Sequence, residues 1–168
     1  MKDSFDEELF RKIPIIGILR GFTTEQVRQI LPIYLEVGFN TIEVTMNTKG
    51  ASQMIRWMVR EHGDKMNVGA GSVRNLNELE IALDAGAGFI VSPIVDPEVC
   101  DVCRERDIPF FPGAYTPTEI WQGWKLGAKA VKVFPMVTGG LQHLKAVKAP
   151  LEMIPLLPTG GVNASNLA

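Results

Sequence analysis

The chain has 168 residues, 46% of them hydrophobic, which is enough for one domain with an ample core and no disulfide or metal staple. Seventeen Lys and Arg against 19 Asp and Glu leave a formal net charge of -2, excluding the basic excess of a nucleic-acid or anionic-membrane binder. The acidic opening MKDSFDEELF has no apolar signal region, and no apolar run approaches the roughly 20 residues of a membrane span. The expectation is a cytoplasmic protein with reduced cysteines.

In chain order, the first apolar stretch, Ile13–Leu19, reads as a strand. Val27, Ile30, Leu31, Tyr34 and Leu35 then fall at helical spacing, with Pro32 inside the stripe and expected to kink it. Further strands are expected at Phe39–Met46, Asn67–Gly71, Phe89–Ser92, Pro109–Pro112, Ala130–Phe134 and Ile154–Thr159. Between them lie helical segments that end near Gly38, Gly63, Gly86 and Gly127, where glycine suits the left-handed turn that closes a helix. Thr116-Pro117-Thr118-Glu119 predicts a helix start with a capping box, and Asn75 with Glu78 gives a similar signal. The repeated segments share this punctuation but little sequence, so alternating helix and parallel strand is a simpler reading than a solenoid. An α/β fold follows, either a (β/α) barrel or an open doubly wound sheet. Neither G-x-G-x-x-G nor a Walker loop follows the first strand, which disfavours dinucleotide binding.

Strands covered on both faces are nearly continuous in apolar residues, yet three of these carry charge: Arg20 after Gly17-Ile18-Leu19, Glu43 within Thr41–Thr45, and Lys132 within Ala130–Phe134. Period-two alternation puts Glu43 with Thr41 and Thr45, opposite Ile42 and Val44, and separates Lys132 from Val131 and Val133. In a barrel, Glu43 and Lys132 would therefore point inward. A structural ion-pair cluster is one reading. Catalysis at the C-terminal ends of barrel strands is the other. A desolvated lysine near another cation favours its neutral amine, a nucleophile for carbonyl carbon. A carboxylate can then shuttle protons, and an arginine can hold a substrate carboxylate through a bidentate fork. The trio suggests a keto-acid substrate and imine chemistry.

Six motifs occur in order: Glu43 in IEVTMNT, Gly69-Ala70-Gly71-Ser72-Val73, Val91-Ser92-Pro93, Pro112-Gly113 followed by Thr116-Pro117-Thr118-Glu119, Lys132 in VKVFP, and Pro158-Thr159-Gly160-Gly161. Together, from about Ile13 to the end, they resemble the class I aldolases that cleave 2-keto-3-deoxy-6-phosphogluconate, 2-keto-3-deoxy-6-phosphogalactonate or 4-hydroxy-2-oxoglutarate. The resemblance implies a (β/α)8 TIM barrel and reversible cleavage of a phosphorylated keto sugar acid to pyruvate and glyceraldehyde 3-phosphate. It implies that Lys132 forms the Schiff base and Glu43 is the general acid/base. Ser72 and Thr159 would bond the keto acid, Phe134 and Pro135 would wall the lysine, and Gly160 and Gly161 would donate to phosphate. Asn47 stands where many phosphogluconate aldolases carry Arg, so Arg20 is expected to anchor the carboxylate, a combination closer to the phosphogalactonate type. A Schiff base is its own electron sink, so no metal or organic cofactor is expected. A homotrimer is implied by the resemblance.

Seven strands fall short of a closed eight-stranded barrel, which typically has about 250 residues. The 168 residues are therefore expected to form a single barrel domain truncated after its seventh strand, with the sequence ending inside the following helix. Two other functions stay open: a phosphate-binding isomerase or synthase without a covalent intermediate, and a non-catalytic truncated barrel acting as a binding partner. Cys100 and Cys103 are expected to be structural, since a lone pair supplies too few zinc ligands. His62 is expected at a helix end and His143 on the surface, while Trp57, Trp121 and Trp124 are read as packing. Tyr115 lies near a strand end within reach of a pocket, and Gly139-Gly140 reads equally as an ordinary turn or a loosened loop beyond Lys132.

Overall fold

Helix and strand largely alternate through residues 5–163, the part of the chain that the computed structural model describes. The chain forms two compact units, the first ending at Ile90 and the second beginning at Val91.

The first unit contains α1 (Glu7–Lys12), β1 (Gly17–Leu19), α2 (Thr24–Glu36), β2 (Thr41–Thr45), α3 (Ala51–His62), β3 (Asn67–Gly71) and α4 (Leu76–Asp84), and it ends as β4 (Ile90–Val91) begins. β1, β2 and β3 are parallel neighbours, with Ile18 opposite Glu43 and Glu43 opposite Gly69. Every residue of β2 and β3 is buried, as central parallel strands require. The Tyr34 hydroxyl joins β1 to β2: it donates to the Thr41 carbonyl at 2.6 Å and accepts the Gly17 N–H at 3.1 Å. Burial pushes its pKa up to about 12. The α1 helix went unread in the sequence. It is capped by Asp6 and tied to β3 through Asn67, whose side chain accepts the Asp6 N–H at 2.6 Å and donates to its carbonyl at 3.0 Å.

The second unit continues with α5 (Pro97–Glu105), β5 (Phe110–Phe111), β6 (Gly113–Ala114), α6 (Pro117–Lys125), β7 (Val131–Val133), α7 (Met136–Lys148) and β8 (Leu156–Pro158). β6, β7 and β8 run parallel in that order, and Lys132 sits opposite Gly113 on one side and Leu157 on the other. The predicted strand at Pro109–Pro112 is divided in two. Pro112 has no N–H to continue a ladder; its carbonyl accepts the Lys132 N–H at 2.9 Å, while the Phe111 carbonyl accepts the Ser92 N–H at 3.1 Å. Cys100 and Cys103 are buried free thiols on α5, both pushed up to about 12 by burial.

Local signals mostly hold. The Thr116–Glu119 capping box forms in full. Asn75 caps α4 by accepting the Glu78 N–H, but the Glu78 carboxylate accepts from Arg74 and not from the Asn75 N–H, so only half of that box exists. Gly38, Gly86 and Gly127 adopt the left-handed conformation; Gly63 does not, because its N–H continues the helix to the Val59 carbonyl. α2 runs through Pro32 on an exposed face. The expected ending inside a further helix falls on residues 164–168, outside the described residues.

Candidate active site

The sequence-predicted site residues fall into two groups, one in each unit. Glu43 lies at the centre of the first group, on a strand whose five residues are all buried, and is itself only 1% exposed. The neighbouring strand makes room for it. Thr41, Glu43 and Thr45 share a face with Asn67, Gly69 and Gly71 by register. A Cβ at Gly71 would meet both Glu43 carboxylate oxygens at 2.5 Å, and one at Gly69 would meet the Phe89 ring at 2.5 Å. Glycine in a strand interior marks close approach of another group, and here one of those groups is a carboxylate.

The strand ends above Glu43 are cross-linked by hydroxyls. Thr45 Oγ1 donates to the Leu19 carbonyl at 3.3 Å and lies 2.9 Å from Thr48 Oγ1, which accepts the Gly21 N–H at 3.0 Å. These bonds pin the turn that carries Arg20. The Arg20 guanidinium is exposed and donates to Ser72 Oγ at 3.4 Å. Ser72 holds a left-handed φ of 56°, an uncommon conformation for a non-glycine residue and one that tends to gather at functional sites. Asn47 is exposed in the turn after β2. The Thr45–Thr48 pair has no signature in the sequence, since threonines at a strand end carry no signal without knowledge of which turn they face.

Lys132 anchors the second group. It is 3% exposed in the middle of β7. Its Nζ lies 5.1 Å from the centre of the Phe134 ring, on the same face two residues on. Taking an ammonium out of water costs several kcal/mol, and proteins use desolvated lysines as carbonyl nucleophiles. The Phe134 ring lies 3.5 Å from where a Gly160 Cβ would be. Gly160 and Gly161 have φ of 81° and 86°, and a Cβ on Gly161 would come within 3.1 Å of Val137 Cα. The turn is tied on both sides: the Met136 N–H donates to the Thr159 carbonyl and the Thr159 N–H to the Val133 carbonyl, each at 3.0 Å. The Thr159 hydroxyl donates to the Leu157 carbonyl at 3.2 Å. Pro135 is half-buried at the N-cap of α7.

Other singled-out residues are now placed. His62 sits edge-on to Trp57, and Arg28 stacks 4.5 Å over that indole, so this cluster packs α2 against α3. His143 is not a free surface side chain: it is half-buried, and its ring stacks on Tyr115 with centroids 4.2 Å apart. Among the described residues no group of three or more His, Cys, Asp or Glu could hold a metal ion, and no helix is long and apolar enough to cross a membrane.

Each unit thus buries one charged side chain in a parallel strand, Glu43 in the first and Lys132 in the second, with a strand-end turn fixed beside it. Residues 6–168 match the family model for KDPG and KHG aldolase. The 2-dehydro-3-deoxy-6-phosphogalactonate aldolase of Escherichia coli K12 is 34% identical over 158 residues, covering 94% of this chain and 77% of that one. A solved native KDPGal structure superposes with a TM-score of 0.88 at 33% identity, covering 93% of this chain and 76% of that chain. The Legionella pneumophila KDPG aldolase, with pyruvate captured as a covalent carbinolamine, superposes with a TM-score of 0.86 at 27% identity, over 94% and 77% of the two chains. The chain belongs to the KDPG and KHG aldolase family. It is a lyase of the aldolase class with that family's parallel-sheet α/β fold.

Proposed function

We propose that this chain reversibly cleaves a 2-keto-3-deoxy-6-phospho sugar acid to pyruvate and glyceraldehyde 3-phosphate through an imine on Lys132. The observation that carries this reading is the burial of Lys132, 3% exposed at mid-strand with its Nζ beside Phe134. The neutral amine attacks the C2 ketone to give a carbinolamine. Loss of water then leaves a protonated imine. The C3–C4 bond breaks as a base removes the C4 hydroxyl proton; its electron pair enters the imine to form an enamine, and the aldehyde departs. Protonation of the enamine at C3 and hydrolysis release pyruvate.

In this reading Glu43 carries the protons between these steps. The missing side chain at Gly71 supports that role, because it leaves the carboxylate the space that a Cβ would fill. Arg20 holds the substrate carboxylate, with Ser72 beside it, and Asn47 meets the sugar hydroxyls. Phe134 and Pro135 wall the lysine, Thr159 borders the keto acid, and the left-handed Gly160-Gly161 turn offers its backbone to the phosphate. The small-molecule keto acid is the only partner this chemistry needs apart from further copies of the chain, which we take to assemble as a homotrimer in the cytoplasm. The test is pyruvate release from 2-keto-3-deoxy-6-phosphogalactonate and from its gluconate epimer. Turnover of either, with the galactonate form preferred, is expected; turnover of neither by folded protein would reject the assignment.

A further inference from the structure

Beyond Lys132, α7 is interrupted. Gly140 has φ 57° and ψ -160°, so the helix is two segments meeting at a hinge: a first turn from Met136 and a second segment carrying His143. Tyr115, the residue after β6, holds both sides of this hinge. Its hydroxyl lies 3.3 Å from Thr138 Oγ1, ahead of the hinge, and Thr138 in turn donates to the Pro135 carbonyl at 2.9 Å. Its carbonyl lies 2.9 Å from His143 Nε2, beyond the hinge, and the two rings stack nearly parallel at 10°. Gly139 leaves space for this contact, because a Cβ there would stand 2.6 Å from the Tyr115 hydroxyl.

Tyr115 is itself fixed from behind. Its N–H donates to Glu119 Oε2 at 3.0 Å, within the capping box of α6. The far side of the hinged turn faces the glycine turn: Val137 stands against Gly161, and the Met136 N–H reaches the Thr159 carbonyl. A chain of contacts therefore runs from the cap of α6 through Tyr115 and Thr138 to the backbone that borders Gly160 and Gly161.

We propose that Tyr115 is a positioning residue that, with Thr138 and His143, locks the Gly140 hinge and so sets the anion-binding geometry of the Gly160-Gly161 turn. The inference rests on the reading of that turn as the phosphate side of the aldolase site. The Lys132 backbone is held in the β6–β7–β8 ladder, so the proposal places the hinge's effect on the phosphate end of the substrate.

The test compares phosphorylated with unphosphorylated glyceraldehyde as acceptor for pyruvate in the wild type, Tyr115→Phe, Tyr115→Ala and Thr138→Val. The expected loss in kcat/KM for the phosphorylated aldehyde is about threefold in Tyr115→Phe and Thr138→Val and about tenfold in Tyr115→Ala. Turnover of unphosphorylated glyceraldehyde and trapping of pyruvate on Lys132 should stay within about twofold of wild type. A purely stabilising role would lower Tm while leaving the ratio between the two acceptors unchanged, and that result overturns the proposal. If Tyr115→Ala does not fold, the two conservative variants decide by the same ratio. If the wild type neither traps pyruvate nor turns over, the aldolase reading fails; amide hydrogen exchange of residues 137–139 then decides the hinge. Faster exchange in Tyr115→Phe sustains it, and unchanged exchange overturns it.

Discussion

The Glu43 carboxylate occupies the space that a side chain at Gly71 would take, with both oxygens 2.5 Å from an ideal Cβ on that residue. The two residues lie on adjacent strands in fixed register, so neither can move far without breaking the β2–β3 ladder. Gly71→Ala should therefore displace the carboxylate, lowering kcat on the order of 10²-fold, with an overpacking cost of about 1–3 kcal/mol seen as a lower Tm. Gly69→Ala presses on the Phe89 ring instead and should lose stability more than turnover. Equal kcat losses in the two variants would contradict a specific fit between Gly71 and Glu43.

Removing the charge without the volume tests the proton-transfer role proposed for Glu43. Glu43→Gln should reduce turnover about 10²- to 10⁴-fold. If full activity persisted in Glu43→Gln, Glu43 would be a packing residue only.

Arg20 is exposed and bonded to Ser72 across the strand ends, which favours a binding role over a structural one. Arg20→Ala should raise the KM for pyruvate and slow imine formation together, because the carboxylate no longer positions the ketone. Tm should change by little, as expected for an exposed side chain. Asn47→Ala should cost less and change the preference between gluconate- and galactonate-derived substrates. A fall in Tm for Arg20→Ala with pyruvate binding intact would assign it to the scaffold.

The buried thiols of Cys100 and Cys103, both raised to about 12, give a pH prediction. In the unfolded chain they ionise near their ordinary value, about 8.5, while the folded chain keeps them protonated. Above that pH the unfolded state binds fewer protons, so this contribution to stability is complete below about pH 8.5 and is lost toward pH 12. Replacing both with Ala should flatten the alkaline limb of a Tm-versus-pH curve, and an unchanged limb would contradict their burial as thiols. Native protein should also resist iodoacetamide at pH 8, since the thiolate is the reactive form.

Much of this was legible in the residues, for identifiable reasons. β3 was read at Asn67–Gly71 because its apolar run is bounded on both sides by turn signals, and Thr116 was read as a cap because its bonds are local. Glu43 and Lys132 stood out because charge in a buried parallel strand is expensive. What escaped depends on contacts far apart in sequence. The α1 helix is six residues long with no buried position, held by Asn67 across 61 residues, so periodicity could not reveal it. His143 resembled a surface residue because its partner, Tyr115, lies 28 positions away. The break of β5 from β6 was implicit in Pro112, but which neighbour each half would choose was not.

Asn67 offers a stability test separate from catalysis. Its side chain accepts from the Asp6 N–H and donates to the Asp6 carbonyl and, at 3.2 Å, to Thr41 Oγ1. Asn67→Ala strands these groups and should destabilise the fold by about 1–3 kcal/mol, measured by urea denaturation. The activity of the folded fraction should be unchanged.

Lys132 as the imine-forming residue is tested most directly by borohydride reduction in the presence of pyruvate, followed by intact mass and peptide mapping. One reduced pyruvate adduct per chain is expected, located on Lys132 and absent from Lys132→Arg, which keeps the charge and loses the imine. A folded protein that forms no adduct, or a Lys132→Arg variant that retains substantial activity, would contradict the Schiff-base mechanism and favour a barrel enzyme that works without a covalent intermediate.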